Sequence, residues 1–254
     1  LPVGCDTDSF HPFEKNDPKI QAVRGSLGVS PEELMILTIG GDAASKGAQE
    51  VMQALASLDG NIPDWKYICK VWPQPRTSMQ NSADQQMAID LGIEKKVIYT
   101  TNTISRNFIP YLIGSCDIYA APSRLDGFGM PQVEAGACEK PVLGIKAMGM
   151  LDTLVDGETA LLAGVAKKIV VNQVILGEES GYDANQKIVF DEPRTVDYRA
   201  SVPDIAKHLS LLMNDEALRN RLGKAARIRV LDQFDYRIVA KKFMAIMEDV
   251  FGFQ

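Results

Sequence analysis

Two acidic residues separated by seven others enclose a glycine-containing turn, and together they form the segment of this chain with the clearest chemical potential. The segment reads Asp126-Gly127-Phe128-Gly129-Met130-Pro131-Gln132-Val133-Glu134. Proline suits the first turn of a helix, so Pro131 predicts a helix over about 131–138. The amides of residues 128–130 would then lie at the helix start without intrahelical acceptors. Their partial positive charge suits an anion such as a diphosphate.

Glu134 adds a second chemical capability to this segment. We expect it in the first turn of the helix, with its carboxylate pointing back toward the glycine turn. There it could accept two hydrogen bonds from a ribose diol. A solvated acid, favoured in the first turn by the helix dipole, explains the same residue equally well when the segment is considered alone.

A second loop of small residues, Gly40-Gly41-Asp42-Ala43-Ala44-Ser45-Lys46-Gly47, follows an apolar run. Lys46 is placed where a cation at a strand end would meet a phosphate. A loop lysine is also commonly a plain surface residue, so both interpretations stay open. The loop lacks the Gly-Lys-Ser/Thr ending of a Walker phosphate loop.

Both loops follow strands in an alternating pattern of strands and helices. Apolar runs predict strands at 34–39, 67–72, 97–100, 118–121 and 142–145, and helices are predicted at 45–58, 82–91, 105–114 and 131–138. This alternation is typical of an α/β fold with a Rossmann-like parallel sheet and helices on both faces. Ligands of such sheets bind beyond the carboxyl ends of the strands, where both loops fall.

The remaining segments add to this core. Residues 164–200 predict an inserted two-stranded β excursion with apolar runs at 169–175 and 188–190. Three C-terminal helices are expected at 203–213, 215–231 and 235–251. The whole chain, 1–254, is thus predicted to form a single domain.

Composition excludes several classes of function. The net charge is −6 and no Lys/Arg stripe is present, so a nucleic-acid partner is not expected. No apolar run approaches the roughly 20 residues of a transmembrane segment. The four cysteines are widely spaced, which predicts free thiols in a reducing, cytoplasmic location. His11 and His208 have no nearby nucleophile in the sequence. The opening of the chain without Met suggests a piece of a longer protein.

Three segments in one order carry a family resemblance: the loop at 40–47, the turn at 126–134, and the stretch from Gly149 through Asp156-Gly157-Glu158-Thr159-Ala160-Leu161-Leu162. Together they resemble the donor-binding C-terminal half of retaining GT-B glycosyltransferases of the large family-four (group 1) type. The opening Gly4-Cys5-Asp6-Thr7-Asp8-Ser9-Phe10-His11-Pro12 also resembles the start of that half. The resemblance covers nearly all of the chain except 164–200, and it implies an absent N-terminal acceptor domain.

The resemblance also implies roles for individual residues. Glu134 would bind the nucleotide ribose, Asp126 would contact the transferred sugar, and Asp126 and Lys46 would be the catalytic residues. The other implied donor-binding residues are Gly40, Gly41, Thr103, Gly127, Phe128, Gly129 and Met130. Thr103 lies in the loop after the third strand, at the expected nucleobase position.

This sequence departs from the family pattern at several positions. Asp126 stands where the family usually has Glu, and Gly41 stands where it usually has an arginine that neutralises the diphosphate. Trp72 would line the pocket or join the core, and Arg76 is a speculative substitute cation. Asp6-Thr7-Asp8 has the spacing of the metal motif of GT-A glycosyltransferases but opens the chain before a loop, so we expect no metal there.

The implied activity is transfer of a sugar from a nucleoside-diphosphate sugar to an acceptor, with retention of anomeric configuration. It would use no metal and no other cofactor. The acceptor, a sugar, lipid or small molecule, would bind through the missing N-terminal domain. Two alternatives stay open: a GT-B epimerase or phosphorylase, and a non-catalytic nucleotide-sugar-binding module.

Overall fold

The computed structural model describes residues 1–72, 78–102, 104–175 and 186–252, and for residues 78–81 it describes the backbone alone. Six strands in this part of the chain form one parallel sheet: β1 Leu34–Ile39, β2 Trp65–Lys70, β3 Val97–Thr100, β4 Ile118–Ala120, β5 Val142–Ile145 and β6 Ala160–Ala163. Their order across the sheet is β3-β2-β1-β4-β5-β6.

Helices cover both faces of this sheet, which confirms the predicted Rossmann-like architecture. The described helices are α1 Pro18–Ser26, α2 Ala48–Ala56, α3 Ser78–Asp90, α4 Ile109–Ser115, α5 Met130–Ala137, α6 Met150–Thr153, α7 Val202–Asn214, α8 Glu216–Gln233 and α9 Tyr236–Phe251. Helix α1 packs on α4, α2 on α7 and α5 on α8. Within the described ranges, no helix combines the length and apolar character that a bilayer crossing requires.

The strand order reverses between β1 and β4, and this reversal positions the site. From β1 the chain first builds outward through β2 and β3, then returns to β4 on the other side of β1. The connections after β1 and β4 therefore diverge and leave a crevice at the carboxyl ends of these strands. Residues 35–38 of β1 are fully buried, so the floor of the crevice is part of the core.

The observed elements differ from the predicted ones mainly at their ends. The second strand spans Trp65–Lys70 rather than 67–72, because its pairing with β1 fixes its bounds. The predicted helix at 45–58 divides into a 3₁₀ turn, Ala44–Lys46, and α2, since Gly47 between them has a φ of 82°. Helices α1 and α6 and strand β6 were not predicted as elements.

After β6 the chain leaves the sheet as an antiparallel hairpin of β7 Val165–Ile175 and β8 Lys187–Ala200. This confirms the predicted two-stranded excursion, and both strands are longer than the apolar runs that suggested them. The three predicted C-terminal helices are also confirmed as α7, α8 and α9.

All four cysteines are buried free thiols, as the sequence predicts. Burial raises the pKa of Cys5, Cys69 and Cys116 to about 12. These thiols are therefore protonated at neutral pH and pack as small apolar groups.

Candidate functional site

The two loops singled out in the sequence meet at the crevice between β1 and β4. Lys46 Nζ donates a hydrogen bond to Asp126 Oδ2 over 2.7 Å, although the residues lie 80 positions apart in the chain. The side chain of Lys46 is 21% exposed and that of Asp126 is 12% exposed. The fold thus joins the loop after β1 to the loop after β4 through a mostly buried ion pair.

Asp126 also closes its own turn. Its Oδ1 atom accepts hydrogen bonds from Phe128 N over 3.2 Å and from Gly129 N over 2.8 Å. Burial alone would raise the pKa of Asp126, but Lys46 and the two amides outweigh it and hold this pKa below its ordinary value. As predicted, the amides of Phe128 and Gly129 have no acceptor within the helix, and the carboxylate of Asp126 binds both from outside it. Among the described residues, Met130 N has no protein acceptor.

Glu134 lies deeper in its helix than expected. Helix α5 begins at Met130, so Glu134 is its fifth residue and lies beyond the first turn. Its side chain is 5% exposed, and Oε1 accepts a hydrogen bond from Arg106 Nη2 over 2.7 Å. Burial raises the pKa of Glu134, and Arg106 offsets only part of this, so its pKa lies above the ordinary value. The solvated-acid interpretation of Glu134 is therefore wrong.

Two glycines allow the loops to approach each other. Gly47 has a φ of 82°, and a Cβ atom at this position would lie 2.4 Å from Pro122 O, at the end of β4. Gly129 caps α5 with a φ of 79°, and its Cβ would lie 2.3 Å from Met150 Cε. Gly47 thus excludes other residues on conformation and on space, and Gly129 disfavours them through its positive φ. In contrast, nothing lies within 4 Å of a Cβ built on Gly127, so the turn is open on that side.

The space beside Gly41 is occupied by Trp72. A Cβ on Gly41 would lie 3.1 Å from the indole ring, and Trp72 N donates to Gly41 O over 2.9 Å. Trp72 is 52% exposed, so it is not part of the core. A side chain at position 41 would therefore pack tightly against the indole. Gly40 lies under the side chain of Lys46, since a Cβ atom built at position 40 would lie 2.6 Å from Lys46 Cγ.

Two other predicted site residues, Thr103 and Arg76, lie outside the described residues.

Arg124 connects both loops, and sequence reasoning missed it. Its backbone N donates to Ser45 O in the loop after β1, over 2.9 Å. Its guanidinium donates to Glu50 on α2, with the shortest contact at 3.0 Å, and to Gln49 Oε1 over 2.7 Å. Asp126 follows two residues later, so these contacts fix the base of the turn at 126–130. Glu50, the one charged residue of α2, was the available signal.

The inserted hairpin reaches the same group of contacts. Tyr198 N on β8 donates to Arg124 O over 2.7 Å. Arg199 Nη1 lies 3.4 Å from Glu50 Oε1, whose side chain is 8% exposed. The base of the hairpin is therefore fixed to the loop that carries Asp126, and a displacement of the hairpin base would be transmitted to the site.

The acidic residues at the chain start have other partners. Asp6 accepts hydrogen bonds from the amide and hydroxyl of Ser9, and Asp8 lies 3.1 Å from Arg237. Across the ranges that the structure describes, no group of three or more His, Cys, Asp or Glu side chains is arranged to hold a metal ion.

Comparison with known proteins agrees with this geometry. A family model described as "Glycosyl transferases group 1" matches residues 19–176. The chain is 31% identical over 170 residues to a GDP-mannose-dependent alpha-(1-6)-phosphatidylinositol monomannoside mannosyltransferase of Mycolicibacterium smegmatis, covering 63% of this chain and 41% of that protein. It is 24% identical over 231 residues to a D-inositol 3-phosphate glycosyltransferase of Corynebacterium aurimucosum, covering 90% and 52%. The chain thus spans about half or less of these relatives' lengths.

Several solved structures share the fold. Sucrose-phosphate synthase from Thermosynechococcus elongatus superposes with a TM-score of 0.73 at 18% identity, covering 99% of this chain and 52% of that one. The C-terminal domain of a group 1 family glycosyl transferase from Francisella tularensis superposes with a TM-score of 0.66 at 23% identity, covering 91% of this chain and 99% of that one. Anabaena HepE in complex with UDP-glucose superposes with a TM-score of 0.71 at 18% identity, covering 97% of this chain and 56% of that one. The predicted fold, one half of a GT-B architecture, is confirmed.

We expect Glu134→Gln to raise the stability of the fold at pH 7. The folded-state pKa of Glu134 lies above its unfolded value, so ionisation of this group costs stability at higher pH. The neutral amide removes that cost, and Arg106 remains hydrated because 69% of its side chain is exposed. Urea unfolding of variant and wild type at a series of pH values measures the difference. It should be largest above the folded-state pKa and vanish as the pH falls to the unfolded value of 4.5.

Asp126→Asn is the matched control with the opposite sign. The pKa of Asp126 is lowered, so its ionised form stabilises the fold above the unfolded value of 3.8, and this contribution is lost as the pH falls through the folded-state pKa. At pH 7 the variant should lose about 2 kcal/mol, the size of charge-assisted hydrogen bonds. A Glu134→Gln variant less stable than wild type at pH 7, or a fully stable Asp126→Asn variant, would contradict these assignments.

Proposed function

The chain belongs to the group 1 glycosyl transferases, and from this premise we propose that it is the donor-binding domain of a retaining glycosyltransferase. The domain would bind a nucleoside-diphosphate sugar, whose sugar is then transferred to an acceptor. One observation carries the proposal: the pairs Lys46–Asp126 and Arg106–Glu134 lie at the carboxyl edge of the sheet, around the start of α5. The predicted phosphate-, sugar- and ribose-binding groups thus converge at one crevice.

Each group would act on a different part of the donor. Lys46 and the amide of Met130 would stabilise charge that develops on the leaving diphosphate. Asp126 would orient hydroxyls of the transferred sugar. Glu134 would hold the ribose, so that binding energy from the nucleoside aligns the reacting carbon. Asp126 is one methylene shorter than glutamate, which places the sugar closer to the turn.

The names of similar proteins support the substrate class. The mycolicibacterial relative is named as GDP-mannose-dependent, and HepE was solved with UDP-glucose. These two donors differ in base and in sugar, and they share a nucleoside diphosphate joined to a hexose. The shared part corresponds to the groups that converge here, so we propose a nucleoside-diphosphate sugar as the donor class.

The acceptor would be bound by a second domain. Because the chain spans about half or less of its curated relatives, we propose that an N-terminal half supplies the acceptor site and completes the enzyme. The acceptor would be a sugar, a lipid or a small molecule. The domain alone should then bind donor but transfer little or no sugar. A cytoplasmic location stays a prediction.

Binding of nucleoside diphosphates by the isolated domain tests the donor site. Isothermal titration calorimetry with a panel of nucleoside diphosphates should give saturable binding for at least one of them. Glu134→Ala should weaken that binding by about 1.5 to 3 kcal/mol, because it removes charge-assisted hydrogen bonds to the ribose. Asp152→Ala, at an exposed acid on α6, is the control and should bind like wild type. Absence of binding in a folded sample would refute the proposal.

Transfer by the full-length enzyme should not need a divalent metal. The charge on the leaving diphosphate is assigned here to Lys46 and to the start of α5, so we expect full activity in excess chelator. The measurement is sugar transfer to acceptor with and without EDTA. A loss of activity that added Mg²⁺ or Mn²⁺ restores would overturn the metal-free mechanism. Release of free epimerised sugar, or cleavage that depends on phosphate, would favour the epimerase or phosphorylase alternatives instead.

A further inference from the structure

The charges of the site are balanced before any donor binds. Lys46 is paired with Asp126 and Arg106 is paired with Glu134, each over 2.7 Å. The two cations and the two carboxylates sum to zero. A diphosphate is a polyanion, and removing it from water into a neutral site is costly unless a further cation faces it.

Lys70 is a further cation at the same edge of the sheet. It is the last residue of β2, and its carbonyl accepts a hydrogen bond from Gly40 N over 3.0 Å. Gly40 in turn lies under the stem of Lys46, whose Cγ atom is 2.6 Å from where a Cβ on Gly40 would be. Lys70 and Lys46 therefore both adjoin Gly40, Lys70 through its backbone carbonyl and Lys46 through its side-chain stem.

Lys70 is buried, and among the described residues its ammonium has no acidic partner. Only 8% of the residue is exposed, and Nζ donates to Val71 O over 3.2 Å. In the part of the chain that the structure describes, no carboxylate lies within ion-pair distance of Nζ. Burial lowers the pKa of this lysine. A buried ammonium with one carbonyl partner is costly, and an anion placed beside it would recover that cost.

We propose that Lys70 donates to a phosphate oxygen of the donor's diphosphate and gives the site its net positive charge. The inference rests on the proposed donor-binding function. Lys70 would thereby supply a cation that Gly41, which packs beside the indole of Trp72, does not. Before the diphosphate binds, Lys46 is paired with Asp126. Lys70 has no acidic partner in the described part of the chain, so it can bind the diphosphate without first breaking an ion pair.

The test compares Lys70→Met with Lys66→Met. Methionine keeps an unbranched stem of similar length and removes the charge. Lys66 lies on the same strand and the same face of the sheet, but at the amino-terminal end of β2, where it faces Glu33 and Lys95 O. The nucleoside diphosphate that binds the wild-type domain is titrated by calorimetry, its parent nucleoside by NMR, and folding stability is measured by urea unfolding.

We expect Lys70→Met to weaken binding of the nucleoside diphosphate about tenfold or more, the effect of one lost charge-assisted hydrogen bond. Nucleoside affinity and folding stability should not fall, and Lys66→Met should leave both affinities unchanged. If the wild-type domain does not detectably bind the nucleoside, its affinity for the nucleoside diphosphate comes from the phosphates. The comparison of nucleoside-diphosphate affinities then tests the inference by itself.

Three results would overturn the inference: wild-type diphosphate affinity in Lys70→Met, an equal loss of nucleoside affinity, or a loss of folding stability that accounts for the weaker binding. None of these results would refute the proposed donor site itself. Failure of the wild-type domain to bind any nucleoside diphosphate would instead refute the proposed function.

Discussion

The ion pair between Lys46 and Asp126 is the contact on which the arrangement of the site depends. It joins the loop after β1 to the loop after β4, the two connections that diverge where the strand order reverses. Such a crevice exists in any sheet with this topology. What is particular to this chain is that its two walls are linked, by Lys46–Asp126 at the top and by the Arg124 contacts with Ser45 and Glu50 beneath. Gly47 permits the link, because any Cβ there would collide with Pro122.

The same pairing determines how the site can respond to a ligand. The carboxylate of Asp126 holds both Lys46 and the amides of Phe128 and Gly129, which are the groups that an incoming diphosphate would also seek. Under the proposed function, donor binding would therefore exchange one set of partners for another. Glu134 differs from Asp126 because burial makes its negative charge costly, and Arg106 offsets only part of that cost. Residues retained at a cost to stability are characteristic of binding sites.

Much of the fold could be predicted from local sequence pattern, but the ion pairs of the site could not. Continuous apolar runs such as 34–39 and 142–145 read directly as buried parallel strands, and the glycine turn before Pro131 marked the start of α5. The partners of the charged residues depend on tertiary contacts: Arg106 meets Glu134, and Lys46 meets Asp126, across stretches that no periodicity connects. Lys70 lies inside the strand predicted at 67–72, and its burial depends on tertiary packing that the sequence pattern does not show.

The central claim is that the Lys46–Asp126 pair connects the two walls of the site and is exchanged for contacts with the donor. A double-mutant cycle with Lys46→Met, Asp126→Asn and the double variant measures this coupling directly, through urea unfolding with and without a saturating nucleoside diphosphate. We predict a coupling of about 1 to 2 kcal/mol in the free protein that becomes smaller when ligand is bound. Additive effects of the two substitutions in the free protein, or a coupling that the ligand leaves unchanged, would contradict the account.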